Sequence, residues 1–184
     1  MRNHDQLYLD GGWVTPASGT RIGVINPFTE QVIGHVPDAD DVDVDCAVRA
    51  ARRAFSAWSA TSIYFRAALL RRCHEKFVER SEDFAAAIVS EVGMPAKLTR
   101  RIQVGLPMQQ FGIFAELLPT VFADRSIGHS NVLREPIGVV ACITPWNYPL
   151  HQIVAKVVPA IAAGCTVVLK PSEVAPLNAF ILAE

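Results

Sequence analysis

The chain has 184 residues, 51% of them hydrophobic, enough to bury a core of ordinary size in one domain. Its 17 basic residues nearly balance 18 acidic ones, and no basic stripe interleaved with aromatics is visible, so nucleic acid is not an expected partner. Cys46, Cys73, Cys142 and Cys165 are widely spaced, with no C-x-x-C pair, which argues against a zinc site and against a disulfide scaffold.

Each cysteine is flanked by apolar or alanine-rich sequence, so each is expected to be a reduced, small core hydrophobe, and a cytoplasmic compartment fits. The N-terminus lacks the apolar run of a signal peptide. The most apolar stretch, residues 153–169, carries Lys156, Pro159 and Gly164, so it reads as helix, turn and strand rather than as a membrane span.

Residues 7–37 read as short strands and turns, with Asp10-Gly11-Gly12 and Asn26-Pro27 supplying turn chemistry. Asp40, with Asp43 three residues on, predicts an N-cap opening a helix of roughly 18 residues. Val44, Val48, Ala51, Phe55 and Trp58 recur on one face of it, and Arg49, Arg52 and Arg53 point elsewhere. A second helix is expected over 62–80 with Phe65, Leu69, Cys73 and Phe77 buried. A third over 82–92 buries Phe84, Ile88 and Val92 and stops at Gly93. A fourth follows Pro95 over 96–122, kinked or divided by Pro107.

Near residue 125 the organisation changes from helices to β/α alternation. Residues 126–135 are extended and polar and end at Pro136. Residues 137–143 form a near-continuous apolar run, typical of a strand covered on both faces. A helix over 150–163, an apolar strand over 166–169 and a helix opened by Pro176 complete a βαβ(α) pattern, which implies a parallel sheet.

Ligands of open parallel sheets bind at the carboxyl ends of strands, where Asn147 and Lys170 both fall. An asparagine there can donate its amide N–H to an oxyanion, or it can simply serve as a turn or helix N-cap residue. Lys170 and Glu173 can bind ribose hydroxyls as donor and acceptor, or form an ordinary surface pair. Spacing leaves both pairs of readings open.

Residues 135–184 resemble the aldehyde dehydrogenase superfamily in three motifs. Pro136-Ile137-Gly138-Val139 matches its P-x-G-V strand, Pro145-Trp146-Asn147-Tyr148-Pro149 its P-W-N-[YF]-P turn, and residues 159–173 its P-A-[IL]-A-A-G run ending K-P-S-E. Gly12-Trp13-Val14, residues 50–58 and Glu91-Val92-Gly93-Met94-Pro95 extend the likeness over essentially the whole chain. The resemblance implies an α/β fold: an N-terminal helical and hairpin region leading into the first βαβ of a Rossmann-like parallel sheet, a truncated form of the family's fold. Residues 1–125 would belong to the cofactor-binding domain, 126–136 to an oligomerisation-type strand and 137–184 to the NAD-binding sheet, with the catalytic domain absent.

Under the same resemblance Asn147 stabilises the oxyanion, and Ile143, Thr144, Pro145, Trp146, Lys170, Ser172 and Glu173 bind the cofactor. Glu173 accepts from a free 2′-hydroxyl and repels a 2′-phosphate, favouring NAD over NADP. The implied substrate is a small aldehyde, oxidised to a carboxylic acid, and complete members are homo-oligomers without a membrane partner. The surroundings of Gln103-Val104-Gly105 and Ile143-Thr144 are similar to those of members acting on semialdehydes. The family's nucleophilic cysteine, its general-base glutamate and its second glycine-rich turn would lie beyond position 184, and no cysteine of this chain matches the nucleophile motif. The alternative is an inactive paralogue that binds nucleotide or joins complete subunits through the strand near 126–135.

Overall fold

The computed structural model describes residues 2–184. Its first part is β-rich. Strand β1 (Arg2–Asn3) runs parallel to β5 (Val32–Pro37), which pairs antiparallel with β4 (Arg21–Ile25). The hairpin of β2 (Leu7–Leu9) and β3 (Gly12–Val14) stands apart from that sheet.

Helix α1 (Asp41–Ser59) begins at the expected reciprocal cap: Val42 and Asp43 N–H donate to the Asp40 carboxylate, and Asp43 returns a bond to the Asp40 N–H. Its buried line differs from the expected stripe, for Val44 and Val48 are exposed while Ala50 and Ala51 are buried. The helix lies against the later sheet through these small residues, and the Thr166 hydroxyl donates to the Ala51 carbonyl at 2.9 Å. Close approach of helix to strand selects alanines over valines here. Cys46 correspondingly sits exposed on the solvent side instead of in the core.

Helices α2 (Ile63–Glu79) and α3 (Ser81–Val92) follow. In α2 Phe65 is exposed, and the buried positions are Arg66, Ala67, Leu70 and Phe77, a stripe rotated by one residue from the expected one. The Arg66 guanidinium accounts for the rotation. Its Nε donates to the Ala162 carbonyl at 2.9 Å and its Nη1 to the Thr61 carbonyl at 2.6 Å. A cation thus closes a later helix's C-terminus, where the dipole is negative. Phe77 stacks on Phe84 at 4.4 Å and meets Phe111 at 5.6 Å, the aromatic centre of the core. Burying each such ring stabilises the fold by about 1.5–3 kcal/mol.

Gly93 closes α3 with φ +77°. A Cβ there would stand 2.9 Å from Pro27 Cγ, on the turn after β4. Gly93→Ala is therefore expected to cost about 1–3 kcal/mol from left-handed strain and overpacking, read as a lowered urea midpoint.

The fourth helix is divided, as expected, but upstream of its proline. A short α4 (Ala96–Leu98) passes into a π-helical turn, Thr99–Val104, and then into α5 (Gly105–Val121). Pro107 lies in the first turn of α5, directly after the π-helical turn, and is buried.

Where one extended strand is expected over 126–136, the backbone turns back on itself. The segment is not one strand but a hairpin of β6 (Arg125–Ile127) and β7 (Ser130–Val132), exposed throughout. Gly128, at φ +61°, takes the first position of its two-residue turn, a conformation that folds the segment back on itself.

Strands β8 (Val139–Ile143) and β9 (Thr166–Lys170) pair in parallel, joined by α6 (Pro149–Ala162) and followed by α7 (Leu177–Ala183). This is the expected βαβ unit, with α1 and α6 packed on the sheet. The strands are less enclosed than expected: Ala141 and Ile143 are exposed, since the sheet has only these two strands among the described residues. The main core lies between α2, α3, α5, α6 and α7, with Leu70, Phe84, Ile88, Leu118, Leu150 and Leu177 almost fully enclosed. Among the described residues no helix is long and apolar enough to cross a membrane.

Candidate functional site

The parallel register places Ile143 opposite Lys170, and the Thr144 N–H extends the ladder by donating to the Lys170 carbonyl at 3.2 Å. Both strands therefore end at the same level, and their following loops, 144–148 and 171–176, leave the sheet side by side. All eight residues singled out in the sequence fall on these strand ends and loops.

They divide by exposure. Ile143, Pro145, Trp146 and Asn147 face solvent, whereas Thr144 is buried and its Oγ1 has no hydrogen-bond partner among the described residues. The Asn147 amide side chain makes no hydrogen bond among the described residues, and the N-cap of α6 is Tyr148, without a side-chain cap bond. The helix-cap alternative for Asn147 is thereby removed. Its backbone carbonyl is held instead, accepting from Gln103 Nε2 at 3.0 Å.

On the second loop, Lys170 Nζ donates to Glu173 Oε2 at 3.0 Å, with both side chains more than half exposed. The Glu173 carboxyl is held below the usual carboxylate range by a backbone N–H and by the Lys170 ammonium. A lysine donor beside an ionised acceptor, open to solvent at a strand end, can bind a pair of adjacent hydroxyls. Ser172 is buried; its Oγ accepts from the Val174 N–H at 3.3 Å, which shapes the loop and leaves the hydroxyl proton to donate.

No cysteine joins this arrangement. Cys142 lies inside β8, and burial pushes its thiol pKa up, keeping it protonated and unreactive. Cys73 in α2 is shifted the same way by burial.

Two supporting residues were not legible as such. Glu91, only 2% exposed, accepts from the Leu177 N–H at 2.7 Å, the Asn178 N–H at 3.2 Å and Asn178 Nδ2 at 2.6 Å. It thereby caps α7 directly behind the loop that carries Ser172 and Glu173. The signal was its place on the apolar face of α3, three residues after Ile88 and seven after Phe84. Gln103 gave no such signal, because the π-helical turn breaks the helical period around it.

The model of the aldehyde dehydrogenase family matches residues 13–184. A 3-succinoylsemialdehyde-pyridine dehydrogenase from a Pseudomonas species is 45% identical over 190 residues, covering all of this chain and 39% of that protein. The structure of a mutant aldehyde dehydrogenase C from Pseudomonas syringae, complexed with NAD+ and octanal, superposes with a TM-score of 0.95 at 49% identity, over 97% of this chain and 37% of that one. An aldehyde dehydrogenase from Mycobacterium tuberculosis complexed with NAD+ gives a TM-score of 0.92 at 36% identity, over 98% of this chain and 39% of its own. The chain thus spans about 39% of the length of the curated relatives it matches, and corresponds to their N-terminal part. With the motifs, the fold and the family model in agreement along nearly its whole length, the chain belongs to the aldehyde dehydrogenase family.

Proposed function

We propose that residues 1–184 are the N-terminal part of an NAD-dependent aldehyde dehydrogenase, one that oxidises an aldehyde to the carboxylic acid. The observation that carries this reading is the pairing of two loops at one sheet edge, joined by the Thr144–Lys170 ladder bond: one presents a free asparagine amide, the other a lysine–glutamate pair. Residues 137–184 serve as the first βαβ unit of the cofactor sheet, and residues 1–125 as the strands and helices around it.

In this reading Lys170 and Glu173 hold the adenosine ribose, Ser172 donates from the loop between them, and Ile143 to Trp146 form the wall along which the cofactor lies. NAD, when bound, supplies the hydride acceptor. Asn147 donates its amide N–H to the aldehyde oxygen, which gains negative charge when a nucleophile adds to the carbonyl. That nucleophile and the base activating water belong to later segments. Residues 1–184 by themselves are accordingly expected to be inactive, and NADH formation by this segment with any aliphatic aldehyde would overturn that expectation. The substrate proposed is a semialdehyde, supported by the 45% identity to the Pseudomonas semialdehyde-pyridine dehydrogenase.

NAD is proposed over NADP because Glu173 is ionised at neutral pH and would face a 2′-phosphate as a like charge. Glu173→Gln should raise the NADP-to-NAD ratio of kcat/KM roughly two- to fivefold, the scale of one screened surface charge. An unchanged ratio would place the discrimination elsewhere. Because the folded pKa is depressed, the carboxylate is fully present above its unfolded value and is lost only as pH falls through the lower folded one. The preference for NAD should therefore persist into mild acid, which a titration of the two nucleotides from neutral pH downward measures.

A second reading rests on the β6–β7 hairpin, whose Ile127 and Val132 stand exposed with Leu133 just beyond. We propose it as the surface through which subunits associate, in an active homo-oligomer or in an inactive paralogue that joins complete subunits. Charged substitutions at Ile127 and Val132 that leave the mass in solution unchanged would exclude it.

A further inference from the structure

We propose that Gln103 is the positioning residue for Asn147, an inference that rests on the reading of Asn147 as the oxyanion donor. The residues from 99 to 104 wind as a π-helical turn, which is often associated with functional sites. The Gly105 N–H reaches back five residues to the Arg100 carbonyl, and a Cβ on Gly105 would stand only 3.2 Å from that same oxygen. Glycine at 105 thus accommodates the wide turn.

The turn delivers one long-range polar contact. Gln103 is 1% exposed, and its Nε2 crosses 44 residues of sequence to donate to the Asn147 carbonyl at 3.0 Å. Its Oε1 is buried without a partner among the described residues. A half-satisfied buried amide is a poor choice for stability alone, because a methionine of similar size would fill the site without an orphaned oxygen. Its effect lies at its other end. The 144–148 loop is tied at its start by Thr144 to Lys170, and at its end by the Gln152 N–H donating to the Tyr148 carbonyl. Between these ties the bond from Gln103 is the only hydrogen bond to residues 145–147 among the described residues. Holding the Asn147 carbonyl restrains the backbone at Asn147, and so the point from which its amide side chain departs. Gln103 touches no reacting atom and acts only through this carbonyl.

The test uses the full-length protein that carries this segment. In Gln103→Met, deuterium uptake by the peptide covering 143–150 should rise roughly tenfold, while peptides from α2 and α3 stay as they were. The kcat should fall roughly ten- to a hundredfold, the usual consequence of a misaimed group, with KM for the nucleotide unchanged. In an Asn147→Ala background, Gln103→Met should cost no further activity, since the residue it aims is gone. Gln103→Glu keeps the shape and can donate only while its carboxyl is protonated, so its defect should deepen as pH rises and ease as pH falls. Unchanged uptake, an additive activity loss in the double variant, or an impaired Asn147→Ala beside an unimpaired Gln103→Met would overturn the proposal alone. An Asn147→Ala protein of undiminished kcat would overturn the oxyanion reading and this proposal with it.

Discussion

Replacing Asn147 with alanine should lower kcat for aldehyde oxidation by roughly 10²–10³-fold in the full-length protein, the usual loss for one oxyanion donor. Nucleotide affinity should stay the same. The geometry makes this change unusually separable from folding. The side chain is exposed, makes no hydrogen bond among the described residues and does not cap α6, so its removal should change stability by no more than about 0.5 kcal/mol. The backbone carbonyl that Gln103 grips survives the substitution, so the loop keeps its path. Asn147→Asp separates the electrostatics further: the side chain keeps its size but turns from donor to anion, which would repel the developing oxyanion. Aspartate should therefore be at least as damaging as alanine. A loss of more than about 1 kcal/mol of stability with kcat intact would instead return Asn147 to a turn-forming role.

The βαβ half of the fold was legible because its signals are redundant. Two apolar runs, a helix closed before Gly164 and a helix started after Pro176 each fix a boundary independently, and all four fell within two residues of expectation, the first strand starting at Val139 instead of Ile137. The Asp40–Asp43 cap was legible for a similar reason, being chemistry local to four residues. Helix faces were less so. Periodicity in α1 finds every apolar residue on a side, but what lies opposite decides which are covered. The strand that approaches α1 admits Ala50 and Ala51 and leaves Val44 and Val48 in solvent. In α2 the stripe followed Arg66, a charge that hydropathy assigns to the surface and that two carbonyls draw inside. The hairpin of β6 and β7 was concealed by its polarity, since alternation has no meaning in a segment without a buried face.

The candidate site divides along the same line. Its strand-end position could be read from sequence, because loops 144–148 and 171–176 are set by where the strands stop. Its supports could not. Gln103 and Glu91 reach their targets across 44 and 86 residues respectively, and no local pattern encodes such a contact. The resemblance to known relatives supplied expectations for the residues at the strand ends. Only the folded chain showed what holds them.

Glu91→Ala is expected to destabilise the protein by about 3–5 kcal/mol, because it orphans several buried donors at once. Those donors are the N–H groups of Leu177 and Asn178 and the side-chain amide of Asn178, which also donates to the Ala175 carbonyl at 2.8 Å. The N-terminal end of α7 carries the positive pole of the helix and is met by a buried carboxylate. The measurement is urea denaturation, where the midpoint should fall with an unchanged slope. Glu91→Gln keeps the size and one acceptor oxygen but turns an amine toward the helix N–H groups, so an intermediate loss of about 1–3 kcal/mol is expected. A double-mutant cycle with Asn178→Ala should give a coupling of roughly 0.5–3 kcal/mol, since the two residues share a hydrogen bond. Equal, small losses in both Glu91 variants would show that the clamp contributes little. The effect should also reach the site by one route: the loop that ends at α7 carries Ser172 and Glu173, whereas Lys170 is held on β9. Variants of Glu91 should thus weaken nucleotide binding as the loop loosens, even under conditions where the protein remains folded, and should leave the Thr144–Lys170 end of the sheet protected from hydrogen exchange.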